Sequence, residues 1–152
     1  MSEQEDREAI RAALDQIDRR ATAEYVREVT AELIAMFADV SGDCHRLHLD
    51  AEYAAATPYG RRIAHGAMLV GFMSTASTML SEEIERQVGR ANVSLGYDRV
   101  RFLAPVFEGD TIRTRISIVG TDRERLRVIC DETCVNQAGE TVAVAQHLMR
   151  FI

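Results

Sequence analysis

From His65 to Leu80 the chain reads HGAMLVGFMSTASTML, sixteen residues with no Asp, Glu, Lys or Arg. The run is too long for a typical strand and falls short of the ~18 residues that would span a bilayer. As a helix it is apolar or small nearly all the way round, and such a helix is buried on every side. Gly71, Ser74, Ala76 and Ser77 let neighbouring backbone come close to it. The remainder of the chain therefore has to supply a wrapping surface. After residue 90 the apolar period changes to two, which is the pattern of a strand. In TIRTRISIV, Ile112, Thr114, Ile116 and Ile118 share one face, and Leu126, Val128 and Cys130 repeat the pattern in RLRVIC. NQAG reads as a turn, and ETVAVAQHLMRF as a final strand. In NVSLGYDRVRFLAPV the alternation slips between Tyr97 and Val100, which predicts a bulge near Gly96. Helices first and antiparallel strands after make an α+β class, with a curved sheet wrapped around a long buried helix.

Residues 3–19 predict an N-terminal helix, with Ile10, Leu14 and Ile17 at helical spacing and Ser2 and Glu5 placed as a capping box. Residues 1–20 are read as a helical extension on one domain, 1–152. ATAEYVREV suits a short strand. Thr30 is placed to cap a helix over AELIAMFADV, with Leu33, Met36, Phe37 and Val40 as its apolar stripe and Gly42 as its left-handed end. GDCHRLH then reads as a loop leaving a helix end. Asp50 is placed to cap a short helix that stops before Pro58.

Composition removes several function classes. A net charge of −6 argues against nucleic-acid binding, which needs a basic face. Every basic residue besides histidine is an arginine, so lysine Schiff-base chemistry and a P-loop are excluded. The opening MSEQEDREAI has no apolar core and is not read as a signal peptide, and no apolar run is long enough to cross a membrane. Three cysteines, an odd count, read as reduced thiols of a cytoplasmic protein.

The chemistry-bearing residues concentrate in GDCHRLH, where Asp43, Cys44, His45 and His48 fall within six positions. A zinc site needs three or four convergent ligands, and this spacing matches no common zinc pattern, so no metal is expected. Cys44 as a nucleophile is disfavoured by the neighbouring negative charge of Asp43 and reads better as a small site-lining residue. Cys130 and Cys134, four apart in a strand, are too far to pair and read as core. Asp43 and His48 suit an acid/base pair around a water; a capping aspartate beside a half-buried histidine fits the same spacing. Gly66, in IAHGAML, sits where the first-turn N–H groups of the buried helix are unpaired, at the positive end of its dipole. With no Cβ it admits a ligand carbonyl, as in an oxyanion hole; tight helix–sheet packing would also ask for glycine.

Taken in order, FADVSGD, Asp43 with His48, LHLDAEYAAATPYG, RIAHG, RVRFLAPVFEGDTI and VNQAGETVAV resemble the MaoC-like family of (R)-specific enoyl-thioester hydratases and 3-hydroxyacyl dehydratases, over residues 25–150. Gly66 follows Asp43 by twenty-three residues, as in that family. The resemblance implies a single hot-dog fold and a hydro-lyase. Asp43 and His48 would hold the catalytic water, deliver hydroxide to C3 and place a proton on C2. Gly66 N–H would stabilise the thioester enolate, with His65 and Ser74 as further substrate-binding positions. No cofactor is implied, because the thioester already acidifies the α-carbon. The implied partner is an acyl-CoA or acyl-carrier-protein thioester, and the implied assembly a homodimer, with a heterodimer as the alternative. The family usually carries Asn-Pro where this chain has His45 and Arg46, which together with Cys44 are site-lining candidates. That departure motivates one rival, a non-catalytic acyl-binding subunit or the partner subunit of a heteromeric dehydratase. A hot-dog thioesterase is the other; it asks for a carboxylate on the buried helix, and residues 67–80 contain none.

Overall fold

Alternation in the second half of the chain produces one five-stranded antiparallel sheet. In a computed structural model, which describes residues 2–152, the elements run α1 (Glu3–Gln16), β1 (Thr22–Glu28), α2 (Ala31–Ser41), α3 (Arg46–Leu49), α4 (Ala51–Ala55), α5 (Gly66–Val88), β2 (Asn92–Phe102), β3 (Thr111–Asp122), β4 (Arg127–Val135) and β5 (Thr141–Phe151). The strand order is β1-β3-β4-β5-β2. Ile112, Thr114, Ile116 and Ile118 point inward as the period predicts, and so do Val128, Cys130, Glu132 and Cys134 of β4. β2 shifts register against β5 twice, between Ser94 and Gly96 and between Asp98 and Arg101. Gly96, at φ 138°, occupies backbone that favours glycine, so the bulge lies where the slipped alternation puts it.

α5 crosses the inner face of the sheet and divides the core in two. Its C-terminal half (Ala76, Leu80, Ile84) packs with Ile116, Val128, Met149 and Phe151, while Leu69, Phe72 and Met73 pack with Ile112, Val142 and Ala145. α1 carries the predicted capping box and buries Ile10, Leu14 and Ile17 against the first of these clusters. Ile17 has left helical backbone, which ends α1 three residues before the predicted Arg19.

Two expectations about helix faces are corrected. α5 is not covered all round, because Gly71, Ser74, Thr75, Thr78 and Met79 are exposed. One five-stranded sheet covers one side of a helix, and the opposite side of α5 carries mostly small polar residues. In α2 the buried residues are Ile34 and Ala38, with Leu33 and Phe37 half-buried, whereas Met36 and Val40 are 67% and 81% exposed. The apolar stripe of α2 is thus rotated from the predicted one toward Ile34.

Long-range backbone bonds then place the segment before α5. Ala64 N–H donates to Val106 O (2.7 Å), and Ile63 bridges Phe107. The Asp110 carboxylate accepts from Phe107 N–H (2.8 Å), and Asp110 O accepts from Val29 N–H (2.8 Å). The chain entering α2 and the chain entering α5 are therefore fixed to one turn.

Candidate active site

The local chain makes the site in two pieces. α2 starts at Thr30, whose hydroxyl accepts from Leu33 N–H, and ends at Gly42 in the left-handed conformation (φ 78°). That turn releases Asp43 to solvent. The loop expected at GDCHRLH closes at once into α3, because the His45 ring caps it: Nδ1 accepts from Leu47 N–H at 3.2 Å. An imidazole thus serves at the N-cap, where asparagine is a preferred residue, and Arg46 occupies the first helical position, where proline is favoured. Arg46 holds Asp50 through Nε (3.1 Å) and a terminal nitrogen (2.8 Å), and its guanidinium lies 4.5 Å over the Tyr53 ring. It is engaged locally, on the outside of the short helix. Cys44 is exposed, and its sulfur lies 3.9 Å from Ala38 O.

The second piece is the entry to α5. His65 is 2% exposed, and its Nε2–H donates to the main-chain carbonyl of Asp43 at 2.8 Å. Its Nδ1 is buried without a partner. His48 Nδ1–H donates to Ile63 O at 2.8 Å, so its Nε2 carries the free lone pair. The His48 and His65 rings stack, 3.7 Å between centroids and 28° between planes. Asp43, His48 and His65 each bring one polar atom within 4.8 Å of the others. Burial holds the His48 imidazole below its ordinary value of 6.5, with the His65 and His45 rings adding to the shift, against the Ile63 carbonyl and the Asp43 charge. The ring is therefore a neutral base at neutral pH.

These three side chains also form a set that could ligate an ion, which the sequence spacing did not suggest, since His65 lies far from the cluster in sequence. With Nε2–H donated to the Asp43 carbonyl, His65 could offer an ion only its buried Nδ1, and His48 with Nδ1–H on Ile63 only its Nε2.

A cavity of about 310 Å³ opens beside the pair, walled by His48, Tyr59, His65, Gly66, Leu69 and Phe102. Gly66 is the first residue of α5, with its N–H at the helix start. A Cβ there would sit 2.7 Å from the Phe102 ring, so any larger residue would displace that ring. Ser74 lies elsewhere. It lines a separate cavity with Ser77, Ser94 and His147, two turns further along α5. Tyr59 and Phe102 are walls that sequence reading did not single out, because an exposed aromatic in a loop or at a strand end carries no periodic signal.

The MaoC like domain family matches this chain over residues 13–141. The chain belongs to that family. Among its MaoC-like relatives, 3-hydroxyacyl-thioester dehydratase Z of Mycobacterium tuberculosis is 36% identical over 129 residues, which cover 82% of this chain and 83% of the relative. The (R)-specific enoyl-CoA hydratase of Aeromonas caviae is 32% identical over 118 residues, 78% of this chain and 83% of the relative. The solved (R)-hydratase from A. caviae superposes with a TM-score of 0.71, covering 90% of this chain and 98% of that one at 23% identity. The HadBC (3R-hydroxyacyl-ACP dehydratase) complex from M. tuberculosis superposes with a TM-score of 0.73, at 23% identity over 88% of this chain and 98% of that one. The α+β arrangement, five antiparallel strands on a long helix, is the hot-dog fold of the hydratases.

Proposed function

We propose that this MaoC-like chain interconverts a trans-2-enoyl thioester and a 3-hydroxyacyl thioester, with Asp43 and His48 as its acid/base pair. It is a hydro-lyase, as its named relatives are. The single observation that carries the role assignment is the convergence of the Asp43 carboxylate and the His48 ring within 4.8 Å, beside the cavity at the start of α5. A water bound between them meets two acceptors, and the His48 tautomer supports the order of events. Nε2 takes one proton from the water while Asp43 holds the other hydrogen. The oxygen bonds to C3, the C2–C3 π electrons move onto the thioester as an enolate, and His48 returns its proton to C2. The Gly66 N–H, at a helix N-terminus, is placed to receive the enolate oxygen. Dehydration runs the same steps backwards.

His65 enters this reading as a positioning residue. Its ring clamps the Asp43 main chain and stacks on His48, without being needed to touch substrate. Cys44, His45 and Arg46 shape the loop and, like Asp43, are not among the cavity walls; Asp43 borders the cavity through its approach to His48 and His65. His45 and Arg46 stand in the Asn-Pro positions as a cap and first helical residue, which supports the catalytic reading over that of a non-catalytic subunit.

The acyl carrier is proposed to be coenzyme A or an acyl carrier protein. A homodimer is supported by the open edge of β2, where Val93, Leu95 and Phe102 are 42%, 45% and 51% exposed, and by the uncovered side of α5. Three free cysteines and a thioester substrate support a cytoplasmic site; among the described residues no helix is long and apolar enough to cross a membrane.

The test is loss of enoyl absorbance with crotonyl-CoA and longer 2-enoyl-CoAs. General acid–base groups typically contribute about 10²–10⁴-fold, so Asp43→Asn and His48→Ala should each lose activity on that scale. Activity retained in both would overturn the role assignment. Release of free thiol from acyl-CoA would instead favour a thioesterase.

A further inference from the structure

The walls of the catalytic cavity show which side of it is open. Ala64, His65, Leu69 and Val106 are buried, whereas Tyr59, Phe102 and Leu103 are 45%, 51% and 58% exposed. A thioester held between His48 and Gly66 has its carrier leaving on that exposed side. The charges along that rim therefore bear on which carrier is taken.

Tyr59 and Ile63 both wall the cavity. Gly60, Arg61 and Arg62, the three residues between them, line an open groove of about 540 Å³ with Ala51, Glu108 and Gly109. Arg61 is thus two residues from each of two cavity walls, no more than about 7 Å of extended chain. Its surroundings are fixed: Ile63 bridges Phe107, and Phe107 N–H donates to the Asp110 carboxylate at 2.8 Å. The Arg61 guanidinium lies 4.0 Å over the Phe107 ring. A guanidinium held by its flat face is oriented while its N–H edge stays free.

The arginines around it are already committed. Arg62 holds Glu108 at 2.8 Å and Arg46 holds Asp50 at 2.8 Å. Arg101, beside Phe102, turns back onto Val100 O at 2.7 Å. Among the described residues Arg61 has no carboxylate partner, and it is exposed. The rim thus offers one oriented, free guanidinium instead of a basic field. An acidic carrier protein would need a surface of about 1,000 Å² or more, and a chain of net charge −6 repels it. A phosphate is a compact anion that a single guanidinium takes through two parallel N–H bonds.

We propose that Arg61 receives a phosphate of the carrier and that the carrier is coenzyme A, which makes Arg61 a specificity residue for the nucleotide thioester. The assignment rests on the enoyl-thioester reading above. A phosphate next to the pantetheine arm is common to coenzyme A and acyl carrier protein, so the experiment separates the two. It compares kcat/KM for crotonyl-CoA, crotonyl-pantetheine and crotonyl-acyl carrier protein in the wild type, in Arg61→Gln and in Arg150→Gln. Arg150 is also exposed, and it pairs with Val93 at the end of β2 opposite Phe102, so its loss controls for net charge. Crotonyl-pantetheine has no phosphate and reports whether fold and acid/base pair are intact. The wild type should favour crotonyl-CoA over both other thioesters by about tenfold or more, the scale of a hydrogen bond to a charged group. Arg61→Gln should lose most of the preference over crotonyl-pantetheine, through KM and not kcat, and Arg150→Gln should keep it. An Arg61→Gln variant that keeps the preference, an equal loss in Arg150→Gln, or a wild type faster on the carrier protein overturns the proposal. If none of the crotonyl thioesters is turned over, the catalytic reading fails by itself. Calorimetry of coenzyme A against the wild type and Arg61→Gln then decides, equal affinities overturning the phosphate contact.

Discussion

At the scale of single residues, the site depends on which histidine nitrogen is free. Each ring spends one N–H on a main-chain carbonyl, His48 on Ile63 and His65 on Asp43. The other nitrogen of His65 is buried without a partner, while the His48 ring lines the open cavity with its Nε2 uncommitted. Because burial lowers its proton affinity, His48 stays neutral below its ordinary value of 6.5. Measured against pH, kcat/KM should be flat through neutrality and fall on the acid side with an apparent pKa below 6.5. Stability shifts with the same sign. The unfolded chain takes up this proton first, so the contribution is complete above the unfolded value and is lost as pH falls through the folded one. Urea titrations at pH 7 and pH 5 should show that loss shrink in His48→Gln. Asp43 and His48 were legible in the sequence because they are five residues apart, within reach of one tight turn. The His65 clamp was not, since it joins residues twenty-two apart through the sheet.

At the scale of elements, caps decide where the chemistry lies. The Thr30 hydroxyl starts α2, Gly42 ends it and His45 starts α3, so Asp43 lies in the gap between two helices. Thr30→Ala should lower stability by about 1 kcal/mol in a denaturant titration. Gly66→Ala acts on another quantity. The added methyl meets Phe102, which is half-exposed and free to turn, so melting temperature should change little. The displaced ring would fill the cavity over the N–H, and kcat/KM should drop by about 10²-fold or more, as for loss of an oxyanion donor. The strands and α5 were legible because period-two alternation and an uncharged run are strong, long signals. The stripe of α2 is rotated from the expected one, since six adjacent apolar positions, Leu33 to Ala38, admit more than one face, and packing chooses Ile34 and Ala38. The single turn of α3 is too short to carry any period.

At the scale of the molecule, the sheet leaves β2 open, next to the uncovered side of α5. Both surfaces become buried if β2 of one copy pairs with β2 of another. Light scattering should then give about twice the chain mass of 17.0 kDa. Leu95→Glu, on the exposed edge, should shift that mass toward the monomer. A monomeric mass for the wild type would remove the homodimer. α1 plays no part in this edge; it packs on the far half of α5 and pairs Asp6 with Arg90.

The contact between the His65 ring and the carbonyl of Asp43 has a mechanical consequence. His65 immediately precedes Gly66, so the backbone of Asp43 is pinned to the rim of α5 that carries the Gly66 N–H. A movement of the rim when a bulky thioester enters would carry Asp43 along with it. The spacing between Asp43 and the proposed oxyanion donor Gly66 is thereby insulated from breathing of the loops, like two jaws machined from one block.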